Sequence, residues 1–397
     1  DSVLSDVIRV VRTFRPQVIV SVFSGTPRDG HGQHQAAGRL ARSAFELAGD
    51  PEAYPDAGAP WTPVKLYRSA RFDSAATTLT LSGGELDPAL GLSFHQIAMR
   101  SRSLHRSQDM GRLQEIGPSV VRLALLENHT GSPDTGLFAG IDTSLHAPGG
   151  SSTGDDMAAS RFLARVDSAR FMVNPNDLGE LAAVLARARV DLIALAPGKP
   201  SIEIADQLRH LDRAAFAASG VVVDATAPVE LMVPGEEYQV ELSVWNAGTN
   251  PVSVKMTLAS ADSAADLEWD RGVDSCVPLQ PGEIRRRELE VRVPPGTEAT
   301  TPAFLEAPRD GEMYSGPVAI SPRDPVLLQG VFHGCGETVG EIRREVVFRI
   351  NDQSRGEVRR PLRIVPRVEV SLSPAVEIWS TTRQVAHTFT VGLTRHG

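Results

Sequence analysis

The 397-residue sequence predicts an α/β unit, then a helical connector, then one or two all-β sandwich domains. Three observations carry this. The first 50 residues run helix, strand, loop, helix with short connections, the rhythm of a doubly wound sheet. Between about 155 and 220 the apolar residues keep helical spacing and many are Ala. After Gly220 the apolar period changes from 3.6 to 2, with Gly/Pro turns between short runs. The boundaries read from these shifts are 1–150 for the α/β part, 151–220 for the connector, 221–298 for an Ig-like sandwich and 299–397 for a second, incomplete β-rich domain.

Each element has a local reason. Val3, Leu4, Val7, Ile8, Val10 and Val11 recur at helical spacing, and Pro16 stops the helix. Val18 to Val22 is a β-branched run of buried-strand type. A polar loop from Ser24 to Gly32 leads into a helix from about Gln33 to Ala48. Val64 to Tyr67 and Thr77 to Leu81 read as strands, and Ser93 to about Asp109 as a helix. Residues 127–153 are rich in Gly, Pro, Ser and Thr and read as an exposed loop or lid. In the connector, Met157–Ser168, Asn176–Ala188 and Glu203–Ser219 read as helices. Beyond it, Tyr238–Val244, Val252–Leu258, Arg285–Val293 and Glu345–Ile350 are among the predicted strands, with Pro-Gly-Glu turns at 234 and 281.

Composition narrows the function. Forty Lys and Arg against 49 Asp and Glu leave a net charge of −9, which argues against a nucleic-acid partner, since that role needs a clustered basic surface. No run approaches the roughly 20 apolar residues of a membrane span. Aromatic residues make up 5%, too few for broad stacking platforms. Cys276 and Cys335 cannot build a disulfide framework or a multi-thiolate metal site, and they are expected to stay unpaired. His333 beside Cys335 offers two ligands with no others nearby.

The stretch richest in chemistry is Arg28-Asp29-Gly30-His31-Gly32-Gln33-His34. Two histidines three apart at a strand-to-helix junction face one way on a first helical turn. Neutral imidazole suits Zn²⁺, and a purely structural pair fits the H-x-x-H pattern equally well. Asp29 is placed to cap a turn. Farther on, Arg102, His105 and Arg106 make a basic edge, read either as a binder of substrate oxygens or as a solvated helix face anchored by Ile97 and Leu104. His95, His129 and His146 sit near Gly/Pro-rich loops, where surface placement is the plainer reading.

The first of these stretches resembles the second motif of the LmbE/PIG-L family of zinc-dependent N-deacetylases, where a strand ends in a loop carrying H-x-D-H and a helix follows. Gly91-Leu92-Ser93-Phe94, Arg100 to Gln108 and Leu137 to Asp142 are similar to segments of a secreted bacterial branch with C-terminal β-sandwiches. The resemblance implies a partial Rossmann-like catalytic domain in residues 1–150. It also implies a metal-dependent hydrolase that removes an N-acetyl group from an amino sugar or a related small N-acyl substrate. It makes His34 a metal ligand and His31 the group that polarises the carbonyl or acts as general acid. Arg102, His105 and Arg106 become candidate substrate contacts. Gln33 stands where the family has the Asp that orients the first histidine, and Asp29 is the candidate replacement.

The family's first motif, A-H-P-D-D-E, is absent; the lone Asp-Asp pair, Asp155-Asp156, lacks the His-Pro lead. By resemblance the chain starts downstream of that motif, so its zinc site is expected to be incomplete and its catalysis impaired. The same resemblance implies an extracytoplasmic protein. The competing expectation is a non-catalytic carbohydrate-binding or scaffold protein that works through its β-sandwiches. Oligomeric state is not legible in the sequence.

Overall fold

The computed structural model describes residues 2–71, 73–106, 110–143, 153–174, 177–196, 198, 200–260, 267–269, 275–302, 305, 308–311, 313–314, 326–336, 340–379, 381–382 and 386–396. The chain divides into two compact units, Asp1–Ser144 and Leu145–Gly397.

In the first unit, α1 (Ser2–Phe14) buries Ile8 and Val11 against Ala44, Ala48 and Ala57, which joins it to α2 (Gly32–Leu47) and the loop beyond. Arg12 points inward from the same face and is 3% exposed. Its five N–H groups donate to the carbonyl oxygens of Ala48, Asp50, Ala53, Tyr54 and Gly58 at 2.7–3.2 Å. One guanidinium thereby satisfies a loop whose carbonyls have no strand to pair with.

The sheet of this unit holds β1 (Val18–Ser21), β2 (Lys65–Ser69), β3 (Leu79–Ser82) and, after α3 (Phe94–Arg102), β4 (Val120–Asn128). The spatial order is β1-β2-β4-β3, with β1 parallel to β2 and β4 antiparallel to both of its neighbours. The carboxyl ends of β1, β2 and β3 and the start of β4 therefore share one edge. The loop from Ser24 to Gly30 leaves from that edge.

Four expectations change here. Val18–Val22 was read as a buried strand, yet β1 is an edge strand with Val20 47% exposed and Val22 70% exposed. β4 was not expected; its apolar run lacks clean alternation because Leu123 and Ala124 are both buried. α3 stops at Arg102 rather than near Asp109, and Ser103 Oγ folds back onto the Met99 carbonyl at 2.8 Å. The described part of the loop after β4, residues 129–143, starts away from the His31 edge. Asn128 pairs with Lys65 at the start of β2, so residues from 129 onward leave from the opposite edge.

That opposite edge carries a buried ion pair. Lys65 is fully buried, and its Nζ donates to Asp134 Oδ1 at 3.3 Å and to the Gly136 carbonyl at 3.0 Å. The buried Tyr67 hydroxyl donates to the same Asp134 oxygen. Burial, then the carboxylate as acceptor, push the Tyr67 phenol above its ordinary value. His129, in the same loop, tilts its ring against Phe45 at 5.1 Å.

The second unit opens with α4 (Thr153–Phe171), α5 (Gly179–Ala194) and α6 (Ile202–Ala218). Ala158, Phe162, Leu185, Ala188, Leu192 and Ile204 are among the residues of their shared core. Asp191 of α5 accepts from Arg161 and Arg165 of α4 at 3.2 and 2.5 Å. Asp212 of α6 accepts from Arg189 Nε at 2.5 Å and from the Glu341 backbone N–H at 3.1 Å, and Phe216 enters the β core, so α6 is tied to the strands that follow. None of the described helices is long and apolar enough to cross a membrane.

The strands longer than two residues are β5 (Val221–Ala227), β6 (Glu237–Asn246), β7 (Val252–Ser260), β8 (Val277–Leu279), β9 (Ile284–Arg292), β10 (Leu328–Gly334), β11 (Gly340–Glu345), β12 (Val347–Asp352), β13 (Gly356–Pro361), β14 (Val368–Ser373) and β15 (Thr390–Arg395). One sheet runs from Glu268–Trp269 through β9, β6, β5 and β12 to β13; the other is β8-β7-β10-β11. Their inner faces share a core that includes Val240, Leu242, Val254, Met256, Val291, Phe332 and Ile364.

This core overturns the expected division at 298/299. β10 pairs with β7 and β12 pairs with β5, so strands from both sides of that point build a single sandwich reaching Ile364. Among the described strands of this unit longer than two residues, only β14 and β15 pair outside the two main sheets.

The cysteines also depart from expectation. Cys276 and Cys335 form a disulfide with their Cα atoms 6.3 Å apart. Val254 of β7 pairs with Val277 on one side and with Gly334 on the other, so each cysteine is the residue just outside a strand flanking β7. The Cys335 N–H reaches the Ser253 carbonyl at 2.9 Å, which draws the two thiols across the end of that strand within bonding span. A disulfide sulfur is not a thiolate, so Cys335 gives His333 no second metal ligand.

Candidate functional site

The loop between β1 and α2 is built around the Asp29 carboxylate. Oδ1 accepts from the Ser24 N–H and hydroxyl at 3.0 Å each, and Oδ2 from the N–H groups of Gly25 at 2.7 Å and Thr26 at 3.1 Å. Desolvation pushes the carboxyl upward, but the bonds from Ser24, Gly25 and Thr26 outweigh it and hold Asp29 below the usual carboxylate range. The loop is pressed onto α2: a Cβ at Gly38 would lie 2.2 Å from the Gly25 nitrogen. Arg39 Nε donates to the Gly25 carbonyl at 3.1 Å.

His31 is the N-cap of α2 and is exposed; His34 sits on the first turn and is half-buried. The two rings lie 3.8 Å apart between centroids, as the three-residue spacing requires. His34 Nδ1 is 2.9 Å from the Asp29 carbonyl oxygen. A carbonyl can only accept, so Nδ1 carries a proton, and in the neutral ring it is Nε2 that presents the lone pair. Phe23 stacks on the same imidazole, 4.0 Å away at 16°. Nothing in the pattern of the sequence marked Phe23 beyond its being an aromatic just after a β-branched run.

Asp29 therefore does not replace the family aspartate. Its carboxylate is spent on residues 24–26, and only its backbone carbonyl touches a histidine, His34 rather than His31. The glutamine that bonds to this turn is Gln35, whose Nε2 donates to the Gly30 carbonyl at 2.8 Å; among the described residues no hydrogen bond joins Gln33 to His31. Beyond β2, Asp73 accepts from Arg68 at 2.8 Å and lies 4.0 Å from Arg28, whose side chain is 81% exposed.

The basic edge is not a helical i,i+4 pair, because the helix ends at Arg102. Arg102 turns inward: its Nη2 lies 3.1 Å from Met110 Sδ, and its buried Nε has no partner among the described residues. His105 and Arg106 are exposed in the turn beyond. The N-terminus of α3 does stand at the same sheet edge as the histidine loop. The His95 N–H donates to the Gly83 carbonyl at 2.7 Å, and His95 Nδ1 is 3.1 Å from Ser119 Oγ, just before β4. β3 lies three strands from β1, and no hydrogen bond or ion pair joins Arg102, His105 or Arg106 to His31 or His34 among the described residues. Gln108 and His146 lie outside the described residues, as do the side chains of Asp155 and Asp156.

No group of three or more His, Cys, Asp or Glu side chains among the described residues could hold a metal ion. A catalytic zinc takes about three protein ligands, so these residues alone do not fit one. What they offer is one imidazole with a fixed tautomer and a free Nε2, with a second imidazole against it.

The chain is 36% identical over 97 residues to 1D-myo-inositol 2-acetamido-2-deoxy-alpha-D-glucopyranoside deacetylase 2 of Frankia casuarinae, a match covering 23% of this chain and 31% of that protein. It is 39% identical over 74 residues to the corresponding deacetylase 1 of Catenulispora acidiphila, covering 19% and 23%. Both relatives are LmbE/PIG-L deacetylases. The chain is related to the LmbE/PIG-L family. It spans less than a third of the length of these LmbE/PIG-L relatives. No family model matches the chain. Among solved structures, an Escherichia coli α2-macroglobulin is similar at 15% identity and a TM-score of 0.24, covering 38% of this chain and 8% of that one, a likeness too slight to bear on the fold.

Proposed function

We propose that this chain carries part of the catalytic machinery of a zinc-dependent amino-sugar N-deacetylase, with residues 1–150 as a partial Rossmann-like catalytic domain and 151–220 as its connector. The observation that carries the reading is the His34 imidazole, which donates from Nδ1 to the Asp29 carbonyl and leaves Nε2 free beside His31 at the carboxyl edge of the sheet. In this reading His34 is one ligand of a metal site that the described residues alone do not complete. His31 donates a hydrogen bond or a proton to the oxygen that becomes negative as the N-acetyl carbon is attacked. Exposed His105 and Arg106 are better placed than inward-turned Arg102 to meet sugar hydroxyls or an anionic group. The Cys276–Cys335 disulfide supports an extracytoplasmic compartment.

Zinc content and acetate release, measured on this chain and on a version extended upstream, test the reading. The extended protein is expected to hold one zinc per chain and to release acetate from an N-acetylglucosaminide, and this chain to do both weakly or not at all. An extended protein with neither property overturns it.

One observation favours a second, non-catalytic reading. Val222, Trp245 and Ile284 are register neighbours on β5, β6 and β9 and form an outward row, each 44–51% exposed. A flat apolar strip with an indole at its centre suits the CH face of a sugar. Glycan binding by the chain that is lost in Trp245→Ala would support a carbohydrate-binding role for the sandwich; equal binding by both would remove it.

A further inference from the structure

We propose that Phe23 is a positioning residue for His34, an inference that rests on the deacetylase reading for its catalytic meaning but not for its geometry. A hydrogen bond at Nδ1 pins one atom of an imidazole and leaves the ring free to hinge about that bond. A second contact on the ring face removes the hinge. Phe23 supplies the near-parallel one, with centroids 4.0 Å apart and planes inclined by only 16°, whereas the exposed His31 ring, 3.8 Å away, is tilted by 34°.

Phe23 is itself held in place. Its backbone carbonyl accepts from Ser21 Oγ at 2.7 Å, which fixes the first residues after β1. The side chain is half-buried and belongs to none of the hydrophobic cores, so it is not an ordinary core residue that happens to touch a histidine. A large apolar ring in a polar loop, outside any core and parallel to an imidazole, is spent on that imidazole. The loop edge and the loop face thus act on one ring from two directions: the Asp29 carbonyl selects the tautomer, and Phe23 selects the plane in which Nε2 points.

Selective ¹⁵N-histidine labelling of this chain, read by long-range ¹H–¹⁵N NMR of the neutral imidazoles, tests the proposal. The expected result is a single Nδ1–H tautomer for His34, with ring protons displaced upfield by the Phe23 ring current. Phe23→Leu is expected to abolish the displacement and to broaden the His34 Nε2 resonance as the ring plane is released, while the Asp29 carbonyl keeps the Nδ1–H tautomer; Phe23→Tyr keeps the displacement and the sharp resonance. Absence of the upfield displacement in the unsubstituted chain overturns the proposal without any variant. So does a Phe23→Leu spectrum indistinguishable from it; Phe23→Met serves if Leu does not fold, as judged by far-UV circular dichroism. In the upstream-extended protein, Phe23→Leu is expected to lower kcat for acetate release by about tenfold with KM unchanged. An extended protein with no turnover at all counts against the deacetylase reading, whereas the NMR result still decides the role of Phe23.

Discussion

The Nδ1 atom of His34 lies 2.9 Å from the carbonyl oxygen of Asp29, five residues earlier in the chain. One residue thus organises the candidate site twice. The Asp29 carboxylate gathers the N–H groups of Ser24, Gly25 and Thr26, and its carbonyl then sets the tautomer of His34. The histidine depends on the loop, and the loop depends on the carboxylate.

Removing that carboxylate should therefore weaken both. Asp29→Ala is expected to destabilise the first unit by about 1–2 kcal/mol, the usual cost of losing a capping side chain. The folded-state pKa of Asp29 is lowered, so its contribution is full above the unfolded value of about 3.9 and is lost as pH falls through the folded value. Urea unfolding of the unsubstituted chain and of Asp29→Asn should therefore differ most at neutral pH and converge in acid below about pH 4. An unchanged gap down to about pH 2 would count against this account.

Arg12 closes a loop through five carbonyls at once. Arg12→Lys retains the charge but cannot reach all five, and about 3 kcal/mol of stability should go with the change. Thermal unfolding of the two proteins measures it, and a loss under about 1 kcal/mol would mean that water replaces the guanidinium without cost.

Lys65 and Asp134 form a pair in which neither side chain is open to solvent by more than 12%. Asp134→Ala should cost about 3–5 kcal/mol because it strands a buried ammonium, and adding Lys65→Met should recover most of that loss. A double-mutant cycle by urea denaturation reads the coupling. Additive effects would show that the ammonium finds another partner.

The disulfide joins residues 59 apart in the sandwich. By loop-closure entropy, its reduction or the Cys276→Ser/Cys335→Ser change should destabilise the second unit by about 4 kcal/mol. The same change should leave the His34 ring resonances in place, since the bond lies in the other compact unit. Denaturation with and without reductant, followed by histidine NMR, checks both halves.

The elements that were legible are those whose signal is local. α1, α2 and the three connector helices follow from apolar residues three and four apart, and β6 from the strict alternation of Val240, Leu242 and Val244 with polar neighbours. His31 and His34 were legible for the same reason: two residues three apart at a helix start share a face in any fold. β4 was missed because it is buried on consecutive residues rather than alternate ones. The break placed at 298, just after Pro294-Pro295, failed because consecutive prolines mark a turn equally well within a sandwich and between two of them.

By itself the sequence determined the order of elements, the acidic balance and the histidine pair, and it carried the kinship with the LmbE/PIG-L deacetylases, all of which depend on neighbours along the chain. Tertiary structure alone decided which edge each loop leaves from, that Asp29 serves the loop and His34 rather than His31, that Phe23 faces His34, and that Cys276 meets Cys335. Those relations join groups through strand order and register. Strand order is set by which buried faces fit together, a property of the whole core that no local spacing records.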